Sequence, residues 1–323
     1  MKKYLLLFLP LLMFSQLKTK RQLAHTYSIV AMDEKTGEMA IGVQSHWFSV
    51  GTIVSWGKSG VGVVATQSFV NPAYGPKGIK LMESGVSAEK ALTQLVSEDE
   101  SRDYRQVAML DVNGSVNAFT GEKCIISAGQ YIGKNFSVQA NMMLNDKVVP
   151  AMKKAFEENP NLQLAERVIK VFEAAEGSGG DIRGKQSAAI LVIGPERTKN
   201  EWEDKKIDLR VDDSENPIKE IKRLLKVNRA YEHMNKGDLA IENGDMEQAL
   251  FEYASAEVLF PDNLEMKFWK AVALLNNSRF KQAKEIFKYV IDKDGNWEKL
   301  LLRLPASDLV SLSPNQIKNQ ILY

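Results

Sequence analysis

The chain has 323 residues, 44% hydrophobic and 26% charged, and its 42 Lys and Arg against 41 Asp and Glu leave a net charge of +1. This length predicts about two domains, and the balanced charge argues against a nucleic-acid-binding surface. Cys124 is the single cysteine, so no internal disulfide can form and the fold must rely on its apolar core. With three histidines and no HExxH or CxxC pattern, the sequence predicts neither a metal site nor a cofactor.

Residues 1–24 have the pattern of an export signal followed by a leader. Two lysines precede the apolar run YLLLFLPLLMF, which is shorter than the roughly 20 residues that span a membrane. Cleavage after Ser15 is favoured over cleavage after Ala24, because the second site would leave basic residues near the end of the signal. We therefore expect an exported protein, periplasmic or extracellular, whose mature form has no membrane span.

Residues 25–222 have the composition of a layered α+β domain. The segments TYSIVAMD, EMAIGVQS, SVGTIVSWGKSG and VGVVATQSF are rich in β-branched residues and predict four strands. Two helices follow, the second with Ser87 as its N-cap, and then a hairpin around Asn113-Gly114. Two more helices and two strands complete the domain. Strands and helices in blocks, without βαβ alternation, predict an αββα sandwich.

Residues 223–323 predict a small all-α domain. Gly237, Ala249, Tyr253 and Ala256 have the spacing of a 34-residue tetratricopeptide repeat. A shift of 34 residues finds a second set at the corresponding positions: Ala271, Ala283, Phe287 and Val290. A generic pair of helical hairpins is the alternative, and two repeats are fewer than the usual minimum for an isolated array. We expect a protein partner to bind through the repeats.

Thr26 begins the first predicted strand, and this β-rich start resembles the N-terminal-nucleophile (Ntn) hydrolases. In those enzymes the first residue of strand one attacks the substrate and its freed α-amine acts as the base. The amine has an ordinary pKa near about 7.7–8.0, so it can take the hydroxyl proton without a histidine. Here His25 precedes Thr26, so the amine must first be freed by trimming or by an autocatalytic step.

The segments around Thr26, AFTGEKC, SVQANMM and GGDIRGKQSAAILVI together resemble one uncharacterised bacterial and archaeal family. That family is assigned to the Ntn-hydrolase superfamily as a domain of unknown function, and some members carry a further C-terminal module. The resemblance covers roughly residues 25–225. It implies the fold, and it implies no substrate.

Four residues are candidates for the chemistry: Thr26, Ser28, Lys58 and Asp181. Thr26 is the nucleophile or simply a strand threonine, which β structure favours. Ser28 lies on the same strand face and could bond the amine. Lys58 is the candidate site lysine or an exposed turn residue. Asp181 could orient the amine or pair with Arg183.

Six residues are candidates for substrate binding: Gln44, Ser45, Asn71, Tyr74, Asn141 and Arg183. The first two end the second strand, where proteasome-type enzymes carry an acid instead. Asn71 and Tyr74 lie in FVNPAYGPKG, either a pocket wall or an ordinary turn. Arg183 could clamp a substrate carboxylate or stabilise its own loop, and Asn141, with Gln139, is a weaker candidate.

These observations predict an exported amidohydrolase that acts on a peptide, an acylated amino acid or a cell-wall fragment. The alternative is a catalytically inactive binding protein whose helical repeats engage a peptide or protein partner. Intact residues before Thr26 in the mature protein would favour this second interpretation.

Overall fold

The computed structural model describes residues 22–322, and the predicted signal cleavage site after Ser15 lies outside this range. The described strands are β1 (Gln22–Ala24), β2 (Thr26–Met32), β3 (Met39–Ser45), β4 (Ser55–Lys58), β5 (Gly62–Val70), β6 (Arg105–Asp111), β7 (Val116–Thr120), β8 (Gly129–Gly133), β9 (Phe136–Ala140), β10 (Ser187–Ile193) and β11 (Lys205–Val211). The described helices are α1 (Gly51–Val54), α2 (Tyr74–Glu83), α3 (Ala88–Glu98), α4 (Val148–Glu157), α5 (Leu164–Gly177), α6 (Pro217–Glu242), α7 (Met246–Leu259), α8 (Leu264–Asn276), α9 (Phe280–Lys293), α10 (Asn296–Leu301) and α11 (Pro314–Ile317).

The strands pair into two sheets, and the pairs within them are antiparallel. Sheet 1 has five strands in the order β1-β5-β6-β7, with β4 also paired to β5. Sheet 2 has six strands in the order β11-β10-β3-β2-β9-β8. The chain therefore has the mixed α+β class that the block order of its elements predicts.

Alternate residues of the central strands enter different apolar clusters. In β2, Ile29 packs with residues of α4 and α5, whereas Val30 packs with residues of β5 and β6 in sheet 1. This alternation is the period of two that a strand buried on both faces requires. A third cluster covers the other face of sheet 1 with α2 and α3. Apolar contacts thus join the helices α2 and α3, sheet 1, sheet 2 and the helices α4 and α5 in that order.

Two turn signals read from the sequence have their expected geometry. Ser87 caps α3 by accepting a hydrogen bond from the amide of Lys90 at 3.4 Å. Gly114, at the turn of the β6–β7 hairpin, has a φ of +83°, a conformation that glycine adopts without steric cost. Both local predictions are confirmed.

Three local features differ from the sequence-based expectation. The segment predicted as a third strand contains the short helix α1 before β4, and neither β1 nor the β8–β9 hairpin was predicted. The hairpin has a local signal in Asn135, whose φ of +61° lies in a region that asparagine tolerates. β8 is an edge strand with mostly half-buried residues, so it lacks the clean alternation that marks a strand.

The C-terminal region is helical, and α6 contacts α7 while α8 contacts α9. The small residues Ala249, Ala256 and Ala283 are fully buried. A Cβ atom added at Gly237 of α6 would lie 2.5 Å from the ring of Tyr253 on α7. Small residues at these positions allow the helix axes to approach closely.

Helix α6 runs through residue 222, where the sequence predicts a domain boundary. Ile218, Ile221 and Leu225 pack in the cluster between sheet 2 and the helices α4 and α5, called the sheet 2 cluster below, whereas Ala230 and Met234 pack with the C-terminal helices. One helix therefore contributes to both apolar cores, and the position of the boundary stays a prediction. Within residues 22–322, none of the helices is both long enough and apolar enough to cross a bilayer.

Candidate active site

Thr26 lies where the chain passes from one sheet to the other. Ala24 ends β1 opposite Ser68 of sheet 1, and Thr26 begins β2 opposite Ser45 of sheet 2. His25 is the single residue between the two strands. Residues 24–26 are almost completely buried, so the peptide bond before Thr26 is enclosed by protein.

The hydroxyl of Thr26 is hydrogen-bonded to the segment that precedes it. Its Oγ1 donates a hydrogen bond to the carbonyl of Ala24 at 2.8 Å, and its nitrogen is part of the peptide bond with His25. Its own carbonyl accepts from the backbone amide of Asn141 and from Nε2 of Gln67, both at 3.1 Å. Hydrogen bonds thus hold both the hydroxyl and the carbonyl oxygen of Thr26 in place. Its nitrogen is an amide and not a free amine in this form of the chain.

Two donors converge on the carbonyl oxygen of His25, the group directly before Thr26. Ser45 Oγ donates at 2.6 Å and Arg183 Nη2 donates at 2.7 Å. A hydroxyl and a guanidinium both favour negative charge on the oxygen that accepts from them. This carbonyl is therefore polarised towards attack at its carbon.

Asp181 holds the guanidinium of Arg183 in place. The two side chains form a bidentate pair, with Nε to Oδ1 at 3.0 Å and Nη2 to Oδ2 at 2.7 Å. The Asp181 side chain is fully buried and also accepts from the amide of His46 at 3.3 Å. The preceding Gly180 has a φ of +58°, so glycine is needed where the loop turns to present Asp181.

The His25 side chain occupies a polar recess beside this carbonyl. Its Nδ1 lies 2.8 Å from Asn141 Oδ1, and its ring meets Phe69 edge-on with centroids 5.6 Å apart. Its buried Nε2 has no hydrogen-bond partner among the described residues. Burial chiefly lowers the pKa of His25, and Arg183 also lowers it, against the hydrogen bond to Asn141 and the charge of Asp181. The imidazole is therefore neutral at pH 7.

A chain of buried side-chain amides extends from this point between the two sheets. Ser28 Oγ donates to Gln67 Oε1 at 2.6 Å and accepts from Gln139 Nε2 at 2.5 Å. Gln67 and Gln106 face each other across β5 and β6 and are joined at 2.6 Å. These side chains are fully buried, and their mutual hydrogen bonds offset the cost of removing them from water.

The structure brings together six of the predicted residues and Gln139. The group around the His25–Thr26 peptide consists of Thr26, Ser28, Ser45, Gln139, Asn141, Asp181 and Arg183, with Gln44 the neighbour of Ser45 in β3. Gln44 itself pairs with Tyr27 and Ala188, which face the helices. Its side chain therefore points away from Thr26 and is buried without a hydrogen-bond partner among the described residues.

Three predicted residues are held elsewhere. Lys58 is in β4, which pairs with the end of β5 opposite to the one that meets β1, and its Nζ lies 2.8 Å from Glu83. Tyr74 donates to Asp99 Oδ2 at 3.1 Å, and burial raises its pKa. Asn71 accepts from the amide of Ala73 in the same loop. These three residues lie apart from the Thr26 group, each engaged by its own neighbours, and their roles stay predictions.

Sequence reasoning missed Gln67, Gln106 and the side chain of His25. The two glutamines occupy strand positions whose neighbours two residues away, such as Ala65 and Ala108, lie in the inter-sheet core. A polar residue at an inward position of an otherwise apolar alternation was the available signal. Within residues 22–322, no group of three or more His, Cys, Asp or Glu residues is placed to hold a metal ion.

The fold and this buried polar centre define an α+β protein with two antiparallel sheets and a threonine at the start of a central strand. Residues 26–221 match the model of a family of unknown function, DUF1028. The chain belongs to this family, and the match begins at Thr26. No curated protein matches the chain.

Among solved structures, the chain is similar to protein SPO2555 from Silicibacter pomeroyi, a DUF1028 protein known from a crystal structure. The two share 30% sequence identity with a TM-score of 0.57. The similarity covers 63% of this chain and 85% of that one.

Proposed function

We propose that this protein is an exported amidohydrolase of the Ntn type, with Thr26 as its nucleophile. The arrangement of layers supports an αββα sandwich of this kind, with β2 in the middle of sheet 2 and Thr26 at its first position. The resemblance of the sequence to an Ntn-hydrolase family supports the same assignment. Export is proposed from the signal pattern of residues 1–15, and the substrate is an amide outside the cytoplasm: a peptide, an acylated amino acid or a cell-wall fragment.

The observation that carries the proposal is the pair of donors on the His25 carbonyl. An acyl group next to the Thr26 hydroxyl has its oxygen bonded by Ser45 and Arg183. Donors aimed at the oxygen where charge develops are commonly the largest contribution to acyl-transfer catalysis, about 10²–10³ in rate for one donor. A residue that served only to pack a strand would not need this arrangement.

The first reaction of the site is release of its own leader. Thr26 Oγ1 attacks the carbonyl carbon of His25, so a C–O bond forms and the C–N bond between the two residues breaks. The hydroxyl proton passes to the nitrogen, which becomes the free amine. Water then hydrolyses the ester, leaving a carboxylate on His25 and restoring the hydroxyl. Because this peptide bond is buried, an external peptidase has little access to it.

Release of residues before Thr26 prepares the site for turnover. It removes the Ala24 carbonyl to which Thr26 Oγ1 donates and frees the α-amine as a general base. An acyl group of a substrate then takes the place of His25, with its oxygen between Ser45 and Arg183. The amine accepts the hydroxyl proton and returns a proton to the leaving nitrogen.

The C-terminal helices are proposed to be two tetratricopeptide-type repeats that bind a peptide or protein partner. The paired packing of α6 with α7 and α8 with α9 supports this proposal. Full burial of Ala256, Ala283 and Phe287, at positions that the repeat pattern assigns to close packing, also supports it.

The proposal is tested by following the N-terminus of the protein by mass spectrometry and its activity on a library of amides. We expect processed protein that begins at Thr26 and turns over an amide. Thr26→Ala should retain His25 and be inactive, while Thr26→Ser should process and keep part of the activity. Arg183→Lys loses the bidentate contact and should slow processing by at least about tenfold.

Arg210→Lys is the matched control, because Arg210 is exposed and pairs with Asp208 on the edge strand β11. It should process at the normal rate. Processing that is unaffected by Thr26→Ala, together with equal activity of trimmed and untrimmed protein, would contradict the proposal. A purified protein that keeps His25 and only binds amides would favour the binding-protein alternative.

A further inference from the structure

The side chain before Thr26 is held as specifically as its carbonyl. His25 is 1% exposed, and its ring is bonded by Asn141 and packed by Phe69. If the leader leaves, this recess is emptied at the position where the acyl side of a substrate must lie. The shape and the polar groups of the recess therefore indicate which substrate side chain the site accepts.

The hydrogen bonds around Asn141 have a fixed direction that begins at the backbone. Gln106 Nε2 contacts the carbonyl oxygens of Ala140 at 2.9 Å and Gly129 at 3.2 Å. A backbone carbonyl can only accept, so the Gln106 amide nitrogen faces these groups and its Oε1 faces the other way, as an acceptor.

The orientation of the Gln106 amide fixes the orientation of the Asn141 amide. Its Nδ2 donates to Gln106 Oε1 at 2.9 Å and lies 3.4 Å from the Thr26 carbonyl, a second group that only accepts. Asn141 Oδ1 must therefore point into the recess as an acceptor. His25 satisfies it with an Nδ1–H donor, which assigns the tautomer of the neutral ring.

We propose that this recess is the acyl-side specificity pocket of the enzyme and that it selects a histidyl residue, a planar ring with an N–H donor, on the carbonyl side of the cleaved amide. This inference rests on the proposed function. Phe69 supplies the flat apolar contact, Asn141 supplies the acceptor, and nearby Arg183 disfavours a cationic side chain. An apolar ring would leave the buried Asn141 Oδ1 without a partner, which costs roughly tenfold to a hundredfold in affinity.

The product of leader release gives the probe for this pocket. After cleavage, His25 ends in a carboxylate whose oxygens face Ser45 and the Arg183 guanidinium, a favourable partner for that group. The peptide acetyl-Leu-Ala-His reproduces residues 23–25 with this carboxylate. Removing residues 22–25 from the chain takes away the edge strand β1 and His25, and leaves β2 to begin at Thr26.

The test measures binding of three peptides to protein that begins at Thr26, by calorimetry at pH 7.5. The peptides end in histidine, in phenylalanine and in Nδ1-methylhistidine, which has the ring but lacks the donor. We expect the histidine peptide to bind at least about tenfold more tightly than the other two. The untrimmed chain, whose recess is filled by its own His25, should bind none of them.

Asn141→Leu should abolish the preference for histidine, whereas Asn161→Leu, the same change at an exposed position, should leave it unchanged. Equal binding of the histidine and phenylalanine peptides would overturn the inference. Selective binding without turnover of any amide would support the pocket and contradict the hydrolase, so the two failures are distinguishable.

A second measurement uses the untrimmed chain and does not depend on trimming. His25→Phe keeps a ring against Phe69 but leaves Asn141 Oδ1 unsatisfied, so we expect a lower melting temperature. His25→Gln keeps an N–H donor and should lower it less. An unchanged or higher melting temperature for His25→Phe would overturn the inference.

Discussion

The imidazole of His25 is held neutral by its surroundings, and this makes the stability of the untrimmed chain depend on pH. Burial and Arg183 lower its pKa, while Asn141 and Asp181 act in the opposite direction with smaller net effect. In the unfolded chain the same group titrates near about 6.5. Between the lowered pKa and this ordinary value the unfolded state binds more protons, so the free energy of unfolding falls as the pH falls.

We therefore expect the urea midpoint of the untrimmed chain to decrease as the pH is lowered from 7.5 through 6.5 towards 5. His25→Gln removes the titrating group and should flatten this dependence. His46→Gln, which changes an exposed histidine, should leave it in place. The same slope in His25→Gln and in the natural sequence would show that other groups cause the dependence.

Single residues of the site were predictable where their chemistry was unusual for their position. Thr26 at a strand start and the Asp181–Arg183 pair in a glycine-rich loop stand out in the sequence, and the structure brings them together. Gln67 shows only a weak signal, a polar residue at an inward strand position, because its role depends on Gln106, which lies 39 positions away. Lys58 has the residue type that a site lysine needs, but only the pairing of β4 with β5 places it with Glu83.

At the scale of elements, the crossing of α6 and α7 depends on the absence of a side chain. A methyl group at Gly237 would lie 2.5 Å from the Tyr253 ring. That ring is buried, and its hydroxyl donates to Asp238 at 2.7 Å, so it has little freedom to move. Overpacking of about 1–3 kcal/mol therefore exceeds the helix propensity of about 1 kcal/mol that alanine gains over glycine.

We expect Gly237→Ala to lower the melting temperature of the protein. Gly177→Ala is the matched control, since Gly177 ends α5 with no atom within 4 Å of an added Cβ, and it should raise the melting temperature or leave it unchanged. A more stable Gly237→Ala variant would show that the two helices are not packed closely at this point.

Most elements could be predicted from hydrophobic period and turn residues, because these are local properties. The β6–β7 hairpin and the cap of α3 are examples, and each is specified within a few residues of its turn. β1 could not be predicted in this way. It is three residues long, and only its pairing with β5, more than 40 positions away, makes it a strand.

At the scale of the whole molecule, the apolar core of the N-terminal part, which packs sheet 2 against α4 and α5, continues beyond residue 222. Leu225 is 3% exposed and packs with the sheet 2 cluster, and burial of a leucine side chain contributes about 1.5–3 kcal/mol. A chain that ends at Lys222 lacks this residue, whereas one that ends at Asn228 retains it. We expect the longer form to be more stable by about 2 kcal/mol.

Urea denaturation of residues 26–222 and 26–228 measures this difference. A third form, 26–228 with Leu225→Ala, should behave like the shorter chain. Equal midpoints for the two lengths would place the boundary of the first folding unit at residue 222, as the sequence alone predicts.

Helix α6 also connects the two parts of the chain, since its residues pack in both apolar cores. Its 26 residues, at 1.5 Å each, make it about 39 Å long. Near the start of α6, Lys222 pairs with Glu173 of α5. Glu176, also in α5, accepts a hydrogen bond from the hydroxyl of Tyr27, the neighbour of Thr26. A route of side-chain contacts therefore runs from α6 to α5 and on to Tyr27, the residue beside Thr26. Under the proposed function, this route of contacts links the helices that bind a partner to the residue that reacts, although the two lie in different parts of the chain.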